Sequence, residues 1–341
     1  LVVLDALSIQ PFIARPVAKE TSARINSHLL PPEHVIAQAT HTHAAPDLTG
    51  IYGPDPTHSG LDMDYVGQVV NAAAEAVQKA WDQRKPARLF WRQGECRGWV
   101  DNDSEPDILD PSVAVLEARD DDGKTIVTLT NFAAHPTVLD GDNTLISADW
   151  VWGFYTAMRK ALPGEHLYLQ GAIGAWVQPK TPDHAFERCA AYGESLAATV
   201  LSAPARPLEG TCSEVRRKTF SMPLRNETFR QMTRLNLTPR NLDGDAVETE
   251  VAWFRVGNAQ FATHPGETAP EFANQTRKMM RPDGPGMVLG LGLDHLGYIL
   301  PVRYFDRTAE IRFADYLTSM SPGRDAGEFM LAALREVIPG N

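Results

Sequence analysis

The sequence is short of cysteine and of positive charge, and it has no long apolar run. Its three cysteines, Cys96, Cys189 and Cys212, form no C-x-x-C pair. That spacing argues against a thiolate zinc site, and the odd count against a disulfide framework. Any metal must therefore rely on histidine, carboxylate or other oxygen ligands. Acidic residues outnumber basic ones, 43 to 32, for a net charge of −11. Without a Lys/Arg cluster, such a chain is not built to bind nucleic acid or an anionic lipid surface. No apolar stretch approaches the roughly 18 residues of a membrane span, so no transmembrane segment is expected. Two catalytic signatures are also missing. There is no G-x-S-x-G elbow, and the glycine-rich QGAIGAW (170–176) carries neither G-K-[ST] nor G-x-G-x-x-G.

What is present reads as an ordinary globular chain, 43% hydrophobic and 22% charged. The opening LVVLDALSI reads as a buried strand. It lacks the basic start and cleavage site of a signal peptide. We therefore expect an N-terminal segment, with any targeting signal, to precede it. An exported (secreted or periplasmic) and a cytoplasmic setting both stay open, as does the oligomeric state. Residues 17–30 read as an amphipathic helix ended by Pro31 and Pro32. Apolar spacing predicts longer helices near 62–84, 147–162, 185–203 and 326–338. Strands are expected at 87–96, in a hairpin over 112–134 that turns at DDDG, at 166–170, 212–224, in a hairpin over 251–267, and at 286–292. Helices and strands that alternate early, with hairpins later, predict an α/β (or α+β) class with mixed sheets flanked by helices. The whole of 1–341 reads as one catalytic domain, with 204–210 the only weak boundary.

The chemistry concentrates at strand ends. In QATHTHAAPD (38–47), His41 and His43 close a β run, and i, i+2 residues of a strand share a face. A metal pair and a solvated, hydrogen-bonded pair both fit this pattern. His135 ends the strand TIVTLTNFAAH and is followed by Pro136, which repeats the design. Glu267 follows the Pro-Gly turn of FATHPGET, where an acidic residue would also suit a helix start. His264 lies in the same motif. Tyr298, in DHLGYILP, reads by itself as a core aromatic. Asp149 in LISADW reads as a helix N-cap.

Taken in order, THTHAAPD, NFAAHPT, LISADW, QGAIGAW, HPGET and GYILP resemble the neutral/alkaline non-lysosomal ceramidase family, specifically its N-terminal catalytic domain. The ordered set covers about residues 36–304. The resemblance implies a zinc (Zn²⁺) amidase with His41, His135, Glu267 and Tyr298 as metal ligands and His43 facing the substrate. Two departures stand out. Ala44-Ala45 replaces the Ser-Gly of the first motif. GAWVQP (174–179) replaces Gly-Asp-Val-Ser-Pro, with Ala175 where an acidic residue is expected. The family's C-terminal immunoglobulin-like domain is not expected in this chain.

On this reading the expected activity is cleavage of an N-acyl amide bond by attack of a metal-bound water. The substrate would be a small N-acyl amide or lipid-like molecule. His43, Tyr298 and Arg97 are the candidate donors to the developing oxyanion, and a protonated imidazole would serve the leaving amine. The 50–60 loop and Trp99, Trp150, Trp152 and Trp176 are candidates to line an acyl or aryl pocket, although core packing is the better reading of each tryptophan alone. Rival readings are a zinc esterase or lactonase on the same scaffold and a non-catalytic metal-binding homologue. A metallo-β-lactamase site and an amidohydrolase barrel fit less well, since neither the Asp-His extension nor an eightfold βα repeat is present.

Overall fold

The computed structural model describes residues 1–141 and 143–340. The chain opens with β1 (Val2–Leu4), α1 (Pro11–Ile25), β2 (Ala37–Ala39) and α2 (Met63–Asp82). Next come β3 (Arg88–Glu95), β4 (Val100–Asn102), β5 (Ser112–Arg119), β6 (Thr125–Phe132), α3 (Trp150–Ala161), β7 (Glu165–Gln170), β8 (Val177–Pro179) and α4 (Phe186–Ser202). The second half runs β9 (Arg206–Pro207), β10 (Ser213–Pro223), α5 (Glu227–Arg234), β11 (Leu242–Asp243), β12 (Ala246–Val256), β13 (Ala259–Thr263) and β14 (Glu267–Thr268). It closes with α6 (Pro270–Met279), β15 (Gly286–Leu289), β16 (Tyr298–Ile299), α7 (Arg303–Asp306), α8 (Ala314–Ser319) and α9 (Ala326–Val337).

Two five-stranded sheets form the centre. One has the order β7-β6-β5-β3-β9, and the other is β10-β12-β13-β15 with β11 beside β12. Each is mixed: β6 and β7 run parallel, as do β13 and β15, and the other pairs are antiparallel. Period-2 alternation sorts their side chains into layers. On β5, Val113 and Val115 join the core beneath α3 and α4, while Leu116 and Ala114 face the second sheet. On β12, Ala252 and Phe254 face the first sheet, while Val251 and Trp253 pack toward α6 and α9. The result is four layers, helix–sheet–sheet–helix, with α1 and α2 packed beside the small β1–β2 pair. This is the mixed-sheet, helix-flanked class that the sequence predicts.

Two boundaries differ from the sequence reading. α1 begins at Pro11, well before residue 17, and carries Pro16 inside it. Pro16 is close enough to the start that its ring opposes only the carbonyl of the helix's second residue. The helix also stops at Ile25, well short of Pro31, where Asn26 takes a φ of 128°. The 204–210 segment is not a linker, because Pro207 and Arg206 pair with Phe90 and Trp91 at the edge of the first sheet.

α3 and α4 cross through glycine. A Cβ built on Gly193 would lie 2.1 Å from the Phe154 nitrogen and 2.6 Å from the Trp150 carbonyl oxygen. Backbone cannot retreat from such a contact cheaply. Gly193→Ala is expected to lose about 1–3 kcal/mol of unfolding free energy, the usual range for overpacking. Urea unfolding of the variant beside the parent checks this; an unchanged midpoint would refute the tight crossing.

Candidate metal centre

The site gathers at the ends of four strands. β2 stops at Ala39 and the chain bends, so that His41 has φ 74° and is no longer on a strand. The shared-face argument for His41 and His43 therefore does not apply. Histidine is among the residue types that tolerate the left-handed region. The bend still turns both imidazoles inward, and their Nε2 atoms lie 3.2 Å apart. The His41 backbone N–H donates to the Ala6 carbonyl, and its Nδ1 lies 2.6 Å from the Leu7 carbonyl. His135 follows β6, and its Nδ1 lies 2.8 Å from the Val177 carbonyl. A carbonyl can only accept, so both rings carry their proton on Nδ1 and turn an Nε2 lone pair into the site.

Glu267 and Tyr298 arrive together. β14 and β16 pair in parallel with Glu267 opposite Tyr298. Glu267 Oε2 lies 3.1 Å from His135 Nε2 and 3.5 Å from His41 Nε2. Its Oε1 lies 3.2 Å from His295 Nε2. The Tyr298 hydroxyl oxygen accepts from the Trp176 indole N–H at 2.9 Å. His41, His135, Glu267 and Tyr298 are buried. His43 is open to solvent at a concave spot and ringed by protein. The Nε2 or Nδ1 ligand atoms of His41, His43 and His135 lie within 4.8 Å of one another.

Gln170, at the end of β7, ties the histidine loops together. Its side-chain N–H₂ donates to the Thr40 and Ala134 carbonyls, each at 2.9 Å. Its oxygen accepts from the Tyr168 hydroxyl at 2.8 Å. Asp149 caps α3 through the Trp150 N–H and also accepts from the Val138 and Leu139 N–H groups. The Trp150 indole N–H in turn donates to the His135 carbonyl.

Electrostatics favour the ligand forms. Burial, against the pull of Glu267, lowers the His41 imidazole. Burial first, then repulsion from His41 and His135, holds His43 well below its ordinary value. Burial alone would raise the Glu267 carboxyl, but His41, His135 and His295 overcome it and keep the group ionised. Burial and the Glu267 charge push the Tyr298 phenol up. Zinc requires neutral imidazoles and an ionised carboxylate. A tetrahedron with arms of 2.0–2.2 Å has edges of about 3.3–3.6 Å, close to the spacings of Glu267 Oε2 from the two imidazoles. The residues fit a zinc-type ion by chemistry and by spacing.

Four of the six sequence-derived site residues, His41, His43, Glu267 and Tyr298, line one pocket. Leu7, Gln10, His41, His43, Glu267, His295 and Tyr298 line it at one end; Phe229, Met232, Leu224, Val247 and Leu296 supply an apolar wall. Its volume is about 120 Å³. His135 sits behind, against Glu267. Arg97 is not brought here: it is exposed, and its guanidinium pairs with Glu95 two residues away. Its strand end runs out into solvent, so an oxyanion role for Arg97 has no geometric basis. None of the four tryptophans lines the pocket. Trp150 is core, Trp99 packs on Tyr192, Trp152 is exposed, and Trp176 stacks near Phe313 and Tyr316 behind Tyr298. The 50–60 loop does contribute, through Ile51 and Tyr52. Sequence reasoning missed His295. Its one visible signal was a further histidine-bearing turn, DHLGY, with His295 three residues before Tyr298.

Residues 1–159 match the family model described as neutral/alkaline non-lysosomal ceramidase, N-terminal. The match covers a little under half of the 341-residue chain and marks a likeness to that family. The neutral ceramidase of Pseudomonas aeruginosa is 29% identical over 129 residues, 34% of this chain and 19% of that protein. Neutral ceramidase A of Dictyostelium discoideum is 25% identical over 162 residues, 40% of this chain and 22% of that protein. The alignments thus span about a fifth of the length of these ceramidases. The crystal structure of the P. aeruginosa neutral ceramidase superposes with a TM-score of 0.75 at 17% identity, covering 99% of this chain and 66% of that one. A ceramidase complexed with C2 gives the same TM-score at 16% identity, covering 68% of its chain. At that identity the likeness shows the ceramidase fold. Among the described residues no helix is long and apolar enough to cross a membrane.

Gln170→Leu strands the Thr40 and Ala134 carbonyls. A loss of roughly 1–3 kcal/mol is expected in urea unfolding; no loss would show that the strut is dispensable. His264 supplies a pH test. It is fully buried between the Thr268 and Thr276 hydroxyls. Burial and then the Arg277 charge push its imidazole down to about 3. The folded ring is thus neutral, while the unfolded ring takes up a proton below pH ~6.5. Its contribution to stability is full above that pH and declines as the pH falls toward about 3. NMR should show no His264 titration from pH 8 to 5, and His264→Gln should flatten the acid limb of the stability profile. A His264 midpoint near 6.5 would overturn the assignment.

Proposed function

We propose that this chain is a zinc-dependent hydrolase of N-acyl amides, with the chain acting as one catalytic domain. One observation carries the reading. Two imidazoles, each fixed through Nδ1 by a backbone carbonyl, turn their Nε2 lone pairs toward the same buried carboxylate oxygen. Three segments far apart in sequence bring ligand-type atoms to one point. The kinship with neutral ceramidases supports the amide as substrate.

His41, His135 and Glu267 would hold the ion, with Tyr298 closing the set. Zinc so held would lower the pKa of a coordinated water toward ~7 and polarise the scissile carbonyl. The protein's own groups do the rest. Of the imidazoles that line the pocket His43 is the most exposed, and its surroundings hold it well below its ordinary value, hence neutral. It would take up a proton as the nucleophile forms and return it to the leaving amine. The Tyr298 phenol, its oxygen already accepting from Trp176, would direct its own O–H toward the substrate oxygen. The apolar wall of Leu224, Phe229, Met232 and Val247 would exclude water from the acyl part.

The purified protein is expected to carry about one zinc per chain and to release fatty acid from short N-acyl amides. Chelation should abolish the activity, and zinc should restore it. His41→Ala should lose both the metal and at least ~10³-fold in kcat, the scale on which electrostatic stabilisation acts. His43→Ala should keep the metal and lose rate. Matched esters assayed alongside separate an amidase from an esterase. Protein without stoichiometric metal, whose hydrolysis ignores both chelator and His41→Ala, would sink the reading.

A further inference from the structure

The turn between β15 and β16 holds a buried ion pair. Asp294 is wholly buried, and Arg240, from the loop before β11, is forked onto its two oxygens. The Thr249 hydroxyl of β12 donates to Asp294 Oδ2 at 2.7 Å. The pair also grips the backbone of the next residue at both ends. The His295 N–H donates to Asp294 Oδ1 at 2.6 Å, and the Arg240 guanidinium donates to the His295 carbonyl at 2.8 Å. A buried ion pair is weak evidence for stability; its attested use is to fix one arrangement over others. Here the arrangement fixed is that of His295.

His295 differs from the ligand-type imidazoles in what it meets. His41 and His135 carry their proton on Nδ1 and turn bare Nε2 atoms toward Glu267 Oε2. His295 Nε2 lies 3.2 Å from the other oxygen, Oε1. The carboxylate is ionised and can only accept, so His295 carries its proton on Nε2 and donates. The two oxygens of Glu267 are thus divided between a side facing bare nitrogens and a side held by an N–H. A carboxylate free to turn offers a metal one oxygen or both. One whose second oxygen is held offers a single oxygen, which spares a coordination position for water.

We propose that His295 is a positioning residue: its Nε2–H holds Glu267 Oε1, so that the carboxylate presents Oε2 alone to the metal, and the Arg240–Asp294 pair fixes where the ring stands. This rests on the metal reading of the site.

The test reads metal binding, not turnover. Metal-free protein is titrated with zinc against a competing chelator, and the cobalt(II)-loaded protein is read by its visible absorption, which is strong at four-coordinate cobalt and weak at higher coordination. His295→Leu removes the donor and is expected to weaken zinc roughly 10–100-fold. Its cobalt absorption should fall as the freed carboxylate binds through both oxygens. His295→Gln, whose amide N–H can replace Nε2–H, should return both readouts to near the parent. Should His295→Leu fail to fold, His295→Asn, whose shorter amide stops short of Oε1, takes its place with the same expectation. Arg240→Lys keeps the charge but cannot fork onto Asp294 and reach the His295 carbonyl together. It should move both readouts in the same direction, and no movement removes the clamp from the proposal. Equal losses in the Leu and Gln variants, with a lowered Tm of the metal-free protein, mark a merely structural residue and overturn the positioning role. A loss as large as that of His41→Ala, unrepaired by Gln, makes His295 a ligand and overturns it too. A parent that binds zinc while His295→Leu binds it equally removes this role and leaves the metal reading standing. A parent that takes up no zinc removes both.

Discussion

A buried carboxylate among imidazoles organises this molecule. Glu267 is ionised in a place where burial alone would neutralise it. A charge in that position must be matched by donors or by a cation. The protein brings His41, His135 and His295 to it from three separate loops. The Nδ1–carbonyl bonds of His41 and His135 aim their Nε2 atoms at this carboxylate. The backbone makes the rest of the arrangement stiff. Two rings are held by carbonyls, so neither can rotate without leaving an acceptor unpaired.

The fold supplies the stiffness through few polar struts. Gln38 donates to the Gln170 and Gly290 carbonyls, and Gln170 donates to the Thr40 and Ala134 carbonyls. Asn131 bridges the two sheets by donating to the Leu169 and Val288 carbonyls. Each of these amides is buried and lies where strands end, so backbone that has left a ladder still finds partners. The β14–β16 pair adds register. Tyr298 stands opposite Glu267 because a two-residue parallel ladder fixes it there.

Much of the fold was legible because local pattern sets it. α2, α4 and the hairpins of both sheets follow apolar spacing and turn residues, and they form where that spacing places them. The candidate site was legible only as residue types at strand ends. His295 escaped because its approach to Glu267 depends on the long-range β14–β16 register, which no local window encodes. The tryptophans could be read either way for a related reason, and core packing, the better reading of each alone, holds for Trp150. Large aromatics mark a pocket and a core equally well in sequence, and here Trp150 is wholly buried between helix and sheet.

The backbone shows where the molecule accepts strain. His41, Asp149, Ala175, Trp176, Leu291 and Leu293 all have positive φ without being glycine. Such conformations cost roughly 1–2 kcal/mol each for residues with a Cβ. Asn26, Asp140, Asn236 and Phe313 share the positive φ, and several of the ten positions bear on the cluster. His41 faces the carboxylate, Asp149 caps the helix whose Trp150 grips the His135 carbonyl, and Trp176 donates to Tyr298. Leu291 and Leu293 tie back to the first strands through the Ala39 N–H and the Ala37 carbonyl. A chain selected for stability alone would relax these positions to glycine or redirect the loops. Where strain falls on residues that orient the cluster, as at His41, Asp149 and Trp176, side-chain placement outweighs the local backbone cost.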